Sequence, residues 1–150
     1  MQKPAVKFKK GEDLSMAEIK IYNADTLGKP LGQYSHIARV KAGEFLFISG
    51  MLAADGTGNI IGKDDFDAQC AQVFKNIEAA LASAGAGWNQ VVQFTTYLVH
   101  SQDIPKFMEF RKREFPRLFP DGVYPPNTLL MIDRLVQEPF LIEVQTTAAL

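Results

Sequence analysis

At 150 residues, 47% of them hydrophobic, the chain holds enough apolar material for one core and is too short for two ordinary domains. Its 16 basic and 17 acidic residues leave a net charge of -1, which excludes a general attraction to nucleic acid or to an anionic membrane. The single cysteine, Cys70, excludes an internal disulfide and a multi-cysteine metal site.

Residues 1–18 are lysine-rich and aperiodic, which predicts a loose N-terminal extension ahead of one domain over 19–150. They carry no apolar h-region, and no apolar run approaches the roughly 20 residues of a membrane span, so the expected location is the cytoplasm. Ile19 to Ala24 predicts a short strand, and Gly28-Lys29-Pro30-Leu31-Gly32 a loop. His36 to Lys41 and Glu44 to Met51, joined at Ala42-Gly43, predict a hairpin. Asp55-Gly56-Thr57-Gly58-Asn59 is a turn cluster, and Ile60-Ile61 a stub of strand. From Phe66 to Ala84 the apolar positions Phe66, Cys70, Val73, Phe74, Ile77 and Leu81 recur at helical spacing, with Gly85 as the stop. Val91 to Val99 is rich in β-formers. Asp103 is placed to cap a second helix carrying Ile104, Phe107, Met108, Phe115 and Leu118, which Pro116 is expected to shorten. Asn127 to Leu135, delivered by Pro125-Pro126, and Phe140 to Ala148 predict the last two strands around a turn at Gln137-Glu138-Pro139. The order predicts an α+β two-layer sandwich, a mixed sheet of about six strands packed against two helices.

Two helices cover one face of such a sheet. Yet alternation sets Phe45, Phe47 and Met51 on one face of their strand and Leu46 and Ile48 on the other, and Leu129 and Met131 opposite Leu130 and Ile132. Strands apolar on both faces need both covered, and each side chain of this size is worth about 1.5–3 kcal/mol when buried. Other copies of the chain are therefore expected on the second face.

Most polar features have ordinary readings. His36 and His100 show no metal-ligand spacing, and Cys70 falls on the apolar stripe of its helix. The 55–59 loop lacks the Lys-Ser/Thr pair of a phosphate cradle. Lys3, Lys7, Lys9 and Lys10 form a basic tail with Phe8 as its one aromatic, a thin basis for RNA binding.

Gly32-Gln33-Tyr34-Ser35, Phe47-Ile48-Ser49-Gly50, Ala68-Gln69 with Asn76-Ile77, Gly85, Val91-Val92 through Thr95-Thr96-Tyr97-Leu98, the Asp103 helix and Leu141-Ile142-Glu143-Val144 occur here in one order and spacing. Over roughly residues 19–148 the chain resembles the Rid family of small deaminases, also called YjgF or L-PSP-like. The resemblance implies a chorismate-mutase-like fold, a homotrimer with small-molecule clefts between subunits, and hydrolysis of enamines or imines without a cofactor or metal. It implies that Glu143 handles the water as the catalytic group, and that Tyr34, Ser49, Gly50, Met51, Met108, Asn127 and Leu129 line the cleft. For Glu143 a solvated or inter-subunit polar face stands beside that role, and for Tyr34 a packed ring with a wet hydroxyl.

The resemblance also implies an arginine near the start of the penultimate strand, clamping a substrate carboxylate with two parallel bonds. This chain has Asn127 there, Met51 where a glutamine often follows the Ser-Gly pair, and Met108 where an asparagine is common. Losing one side of a desolvated charged pair costs roughly 2–5 kcal/mol. Small 2-imino acids are thus not the expected substrates. The expectation is a hydrolase of a larger or more apolar enamine or imine, such as an aminomuconate-type compound. A non-catalytic metabolite binder of the same fold and an RNA-directed protein, of the kind linked to translation inhibition, stay open beside it. Among substitute cations, Arg134 lies seven residues beyond Asn127 and so faces the other side unless a bulge intervenes, Arg111 near Met108 is placed to reach the cleft but reads first as a surface arginine, and Arg39, after Tyr34 on a strand, is a weak candidate.

Overall fold

The computed structural model describes residues 16–150. The expected extension over 1–18 lies outside the described residues except for its last three positions, and Glu18 already belongs to a strand.

Among the described residues, six strands and two long helices follow in the order β1 (Glu18–Tyr22), β2 (Ile37–Lys41), β3 (Phe45–Met51), α1 (Phe66–Ser83), β4 (Val91–Leu98), α2 (Ile104–Leu118), β5 (Asn127–Met131) and β6 (Ile142–Ala149). Hydrogen bonding divides the strands into a β1-β2 ribbon and a four-stranded sheet ordered β3-β6-β4-β5. β4 and β5 run parallel, and the other pairs are antiparallel. The helices pack on one face of the four-stranded sheet.

Local chemistry explains the helices. Asp65 caps α1 by accepting from the Ala68 N–H at 3.1 Å. The buried stripe Phe66, Cys70, Val73, Phe74, Ile77 and Leu81 faces the sheet, and Gly85 at φ +73 turns the chain away after the last turn. α2 departs from expectation at both ends. Asp103 stands at its N-cap, but its carboxylate binds Lys106 Nζ at 2.7 Å instead of a backbone amide. Its own backbone is helical there (φ -87, ψ -9), and the amide two residues on is Pro105, which has no N–H. Pro116 does not shorten the helix. It lies inside α2, exposed and near the end, where one lost intrahelical bond is cheaply borne while Phe115 and Leu118 stay buried.

The expected β2–β3 hairpin does not form. β2 pairs with β1 along its whole length, from Glu18 opposite Lys41 to Tyr22 opposite Ile37. The amides of Gly43 and Glu44 donate to the Leu150 carbonyl, and the Leu150 N–H returns to Glu44. The chain's C-terminal strand therefore captures β3, and Ala42-Gly43 becomes a link between two sheets. β5 stops at Met131, four residues before the expected end at Leu135, and β6 begins at Ile142.

Phe74 sits at the centre of the core, with ring centroids 6.0 Å from Phe94, 5.4 Å from Phe110 and 5.5 Å from Phe115. Gln69 is completely buried and pins α1 to the approach to β6. Its Nε2 donates to the Pro139 carbonyl at 2.8 Å and to Gly62 at 3.2 Å, and its Oε1 accepts from Leu141 N at 2.9 Å. No helix among the described residues is long and apolar enough to cross a membrane.

Candidate active site

Strand register decides which polar side chains meet. On β6, Ile142, Val144, Thr146 and Ala148 are buried toward the helices, so Glu143, Gln145 and Thr147 point to the open face. Tyr97 of β4 lies directly opposite Glu143 and shares that side. β3 brings Ser49 and Gly50 to the same place. A cleft of about 490 Å³ collects Ser49, Gly50, Tyr97, Arg134, Glu143 and Gln145 beside an apolar wall of Ile132, Leu135 and Val136.

Gly50 is there for space. A Cβ at this position would stand 1.7 Å from Glu143 Oε1 and 2.7 Å from its Cγ, so any side chain drives the carboxylate out. Burial holds the Glu143 carboxyl above its ordinary 4.5, which keeps it readier to give and take a proton than an exposed glutamate.

Met51 does not line this cleft within the single chain. A bulge between Ile48 and Met51 shifts the register, so that Met51 pairs with Val144 and packs against the core. The face shared by Phe45, Phe47 and Met51 in simple alternation is broken by that extra residue.

Asn127 and Leu129 occupy the other side of the sheet. Their register partners on β4 are Phe94 and Thr96, both buried under the helices. Thr96 Oγ1 donates to Asn127 Oδ1 at 2.8 Å, and Leu129 packs on the core. Within one chain, Asn127 and Glu143 are thus separated by the thickness of the sheet.

Tyr34 and Met108 gather at a third place, where the 31–34 loop rests on α2. The Met108 methyl would lie 2.4 Å from a Cβ at Gly32, and the Tyr34 hydroxyl accepts from Leu31 N at 3.2 Å. Arg111 closes this contact and is no surface residue. Only 2% exposed, it donates to the Gln33 carbonyl and lies 5.3 Å from the Phe107 ring centroid and 5.0 Å from that of Phe115. Burial brings its guanidinium down to about 10. The helical face that carries Phe107 and Phe115 at four-residue spacing carries Arg111 between them, which buries it.

The remaining polar candidates are engaged elsewhere. Asp55 Oδ1 accepts from Thr57 Oγ1 at 2.8 Å, Thr57 N at 2.9 Å and Asn59 N at 2.9 Å. The Thr57 bonds first, then Asn59, bring its carboxyl down to about 2, and the loop's donors are spent on its own side chain. Burial pushes the Cys70 thiol far up, which suits a core residue and not a nucleophile. Arg39 is exposed on β2. Among the described residues, no three of His, Cys, Asp and Glu gather around a common point.

Sequence reading brought Ser49, Gly50 and Glu143 to one site. It set Arg134 aside and gave no role to Tyr97, because their place beside Glu143 follows from strand pairing and not from their own spacing.

A model of the endoribonuclease L-PSP family matches residues 26–150. A RutC family protein of Pyrococcus horikoshii is 36% identical over 120 residues, covering 80% of this chain and 89% of its own. A 2-iminobutanoate/2-iminopropanoate deaminase of Dermatophagoides farinae is 24% identical over 105 residues, covering 70% and 80%. Among solved structures, the Rid protein family member YyfB of Yersinia pestis, of unknown function, superposes with a TM-score of 0.79 at 28% identity, covering 88% of this chain and 98% of that one.

Proposed function

The chain belongs to the endoribonuclease L-PSP family of Rid and YjgF proteins, with their α+β chorismate-mutase-like fold, and from that premise we propose that it hydrolyses an enamine or imine metabolite other than the small 2-imino acids. The observation that carries this reading is the Glu143 cleft: a half-buried carboxyl, raised by burial, seated against Gly50 where a side chain would displace it, in a cleft that Ser49 also lines. Glu143 takes a proton from a water as its oxygen bonds to the imine carbon and the C=N π electrons move to nitrogen, and the carboxyl returns that proton to the nitrogen. The hydroxyl proton of the resulting carbinolamine then passes through the same carboxylate to the nitrogen as the carbonyl forms and the C–N bond breaks. The products are a carbonyl compound and ammonia, and no cofactor takes part.

The substrate class follows from the lining. Ile132, Leu135 and Val136 offer an apolar wall, which favours a substrate with an apolar remainder over a three- or four-carbon imino acid. The working form is a homotrimer with clefts between subunits, in the cytoplasm. Within one chain Asn127, Leu129, Tyr34 and Met108 lie away from Glu143, so only a second copy could bring them to the same ligand.

The test is hydrolysis of imines generated in place by an amino-acid oxidase, comparing 2-iminopropanoate and 2-iminobutanoate with 2-imino-3-phenylpropanoate. The wild type is expected to accelerate loss of the phenyl compound more than that of the smaller two, and Glu143→Gln to lower the rate by about 10²-fold or more. Equal rates with and without protein on all three, or a Glu143→Gln variant as fast as wild type, would overturn the reading.

A further inference from the structure

An imino acid carries a carboxylate, and a desolvated carboxylate needs a cation or several strong donors. Asn127 supplies no charge, is bonded to Thr96 and within one chain faces the helix side of the sheet, so that even from a second copy it would bring an amide and no cation. Arg111 is sealed against Phe107, Phe115 and the Gln33 carbonyl. Arg134 alone among the arginines lines the Glu143 cleft.

Its side chain is held without being used up. Nε donates to the Leu135 carbonyl at 3.3 Å and one terminal nitrogen to Val136 at 3.4 Å, both long bonds. The other terminal nitrogen pairs with Glu138 at 3.1 Å, four residues on, where both side chains are more than half exposed. A pair of that kind is weak and easily exchanged for a better-placed anion. Arg134 and Glu143 share the cleft without forming an ion pair to each other among the described residues, and the volume between its walls suits a small acid.

We propose that Arg134 is the carboxylate-binding residue of the Glu143 cleft, which selects imines that bear an acid group at one end and an apolar group at the other. The acid displaces Glu138 from the guanidinium, the apolar end lies along Ile132, Leu135 and Val136, and the reacting carbon comes to Glu143. This rests on the hydrolase reading for the reaction, but the binding it describes can be measured apart from turnover.

The experiment titrates the protein with phenylpyruvate, the stable 2-oxo acid, and with its neutral amide, by NMR or calorimetry. Wild type is compared with Arg134→Gln, Arg134→Lys, Glu138→Gln and Glu143→Gln. Arg134→Gln is expected to weaken the acid at least tenfold and leave the amide within twofold. Arg134→Lys should recover part of the loss, and Glu138→Gln should tighten the acid. Glu143→Gln should bind the acid at least as well as wild type. Acid binding that is absent in wild type, or unchanged in Arg134→Gln, overturns the proposal. Imine turnover whose KM ignores Arg134→Gln would sink Arg134 while sparing the hydrolase reading. Arg134-dependent acid binding without any imine turnover would sink the reading and spare Arg134.

Discussion

Glu143 is a residue whose environment works against its charge. Its carboxyl titrates above 4.5 because burial disfavours the anion, so the folded chain holds that proton more tightly than the unfolded one. The sign follows: this group favours the fold at low pH, and its contribution falls as pH rises from 4.5 through the raised value. Glu143→Gln removes the titration. Urea midpoints at pH 4 and pH 7 should therefore show the variant gaining on wild type at the higher pH. A difference that is constant between the two, or that moves the other way, would place Glu143 in a solvated setting. The Ser49-Gly50-Glu143 grouping was legible from the sequence because short motifs carried it. The partners Tyr97 and Arg134 were not, since strand pairing and a chain reversal after β5 bring them in.

At the scale of elements, Gln69 joins α1 to the segment that feeds β6. Gln69→Leu keeps the volume roughly constant and strips bonding partners from Gly62, Pro139 and Leu141. A buried group left unpaired costs about 1–3 kcal/mol, and these part-buried ones less where water reaches them, so the urea midpoint should fall, with Glu143 and the cleft loosened because β6 begins one residue after Leu141. A midpoint unchanged from wild type would mean that the loop re-pairs on its own. Helix α1 was readable to within a residue because its apolar stripe, cap and glycine stop all agree. The β2–β3 connection was misread because a two-residue link is compatible with a hairpin, while the competing partner, Leu150, lies more than a hundred residues away in sequence. Pro116 was misjudged for a related reason. Its penalty applies in a helix interior, but near the last turn the burial of Phe115 and Leu118 outweighs one missing bond.

On the whole molecule, one face of the four-stranded sheet is covered by helices and the other is open. Phe47 is 80% exposed there, beside Phe45 at 44%, and their rings lie 6.5 Å apart. An apolar pair of this size on a flat strand surface is a site of association when left uncovered. If copies of the chain meet on this face, Phe47→Glu should give smaller species than wild type in sedimentation equilibrium while leaving far-UV circular dichroism intact, since a ring this exposed adds little to the single chain's core. A wild type that sediments as a monomer at micromolar concentration would remove the basis for clefts between subunits.

The sequence by itself determined the two helices, the six strands, the α+β layering and the family, because these rest on periodicity, caps and ordered motifs that neighbouring residues carry together. It also placed Glu143 on the polar side of its strand by simple alternation. Only the tertiary structure decided which strand pairs with which, that a bulge moves Met51 to the core, that Arg111 is buried, and that within one chain Arg134 shares the Glu143 cleft while Asn127 lies on the other side of the sheet. The reason is physical. Alternation gives the side of a strand, but the identity of that side depends on register with partners distant in sequence, and one inserted residue inverts it.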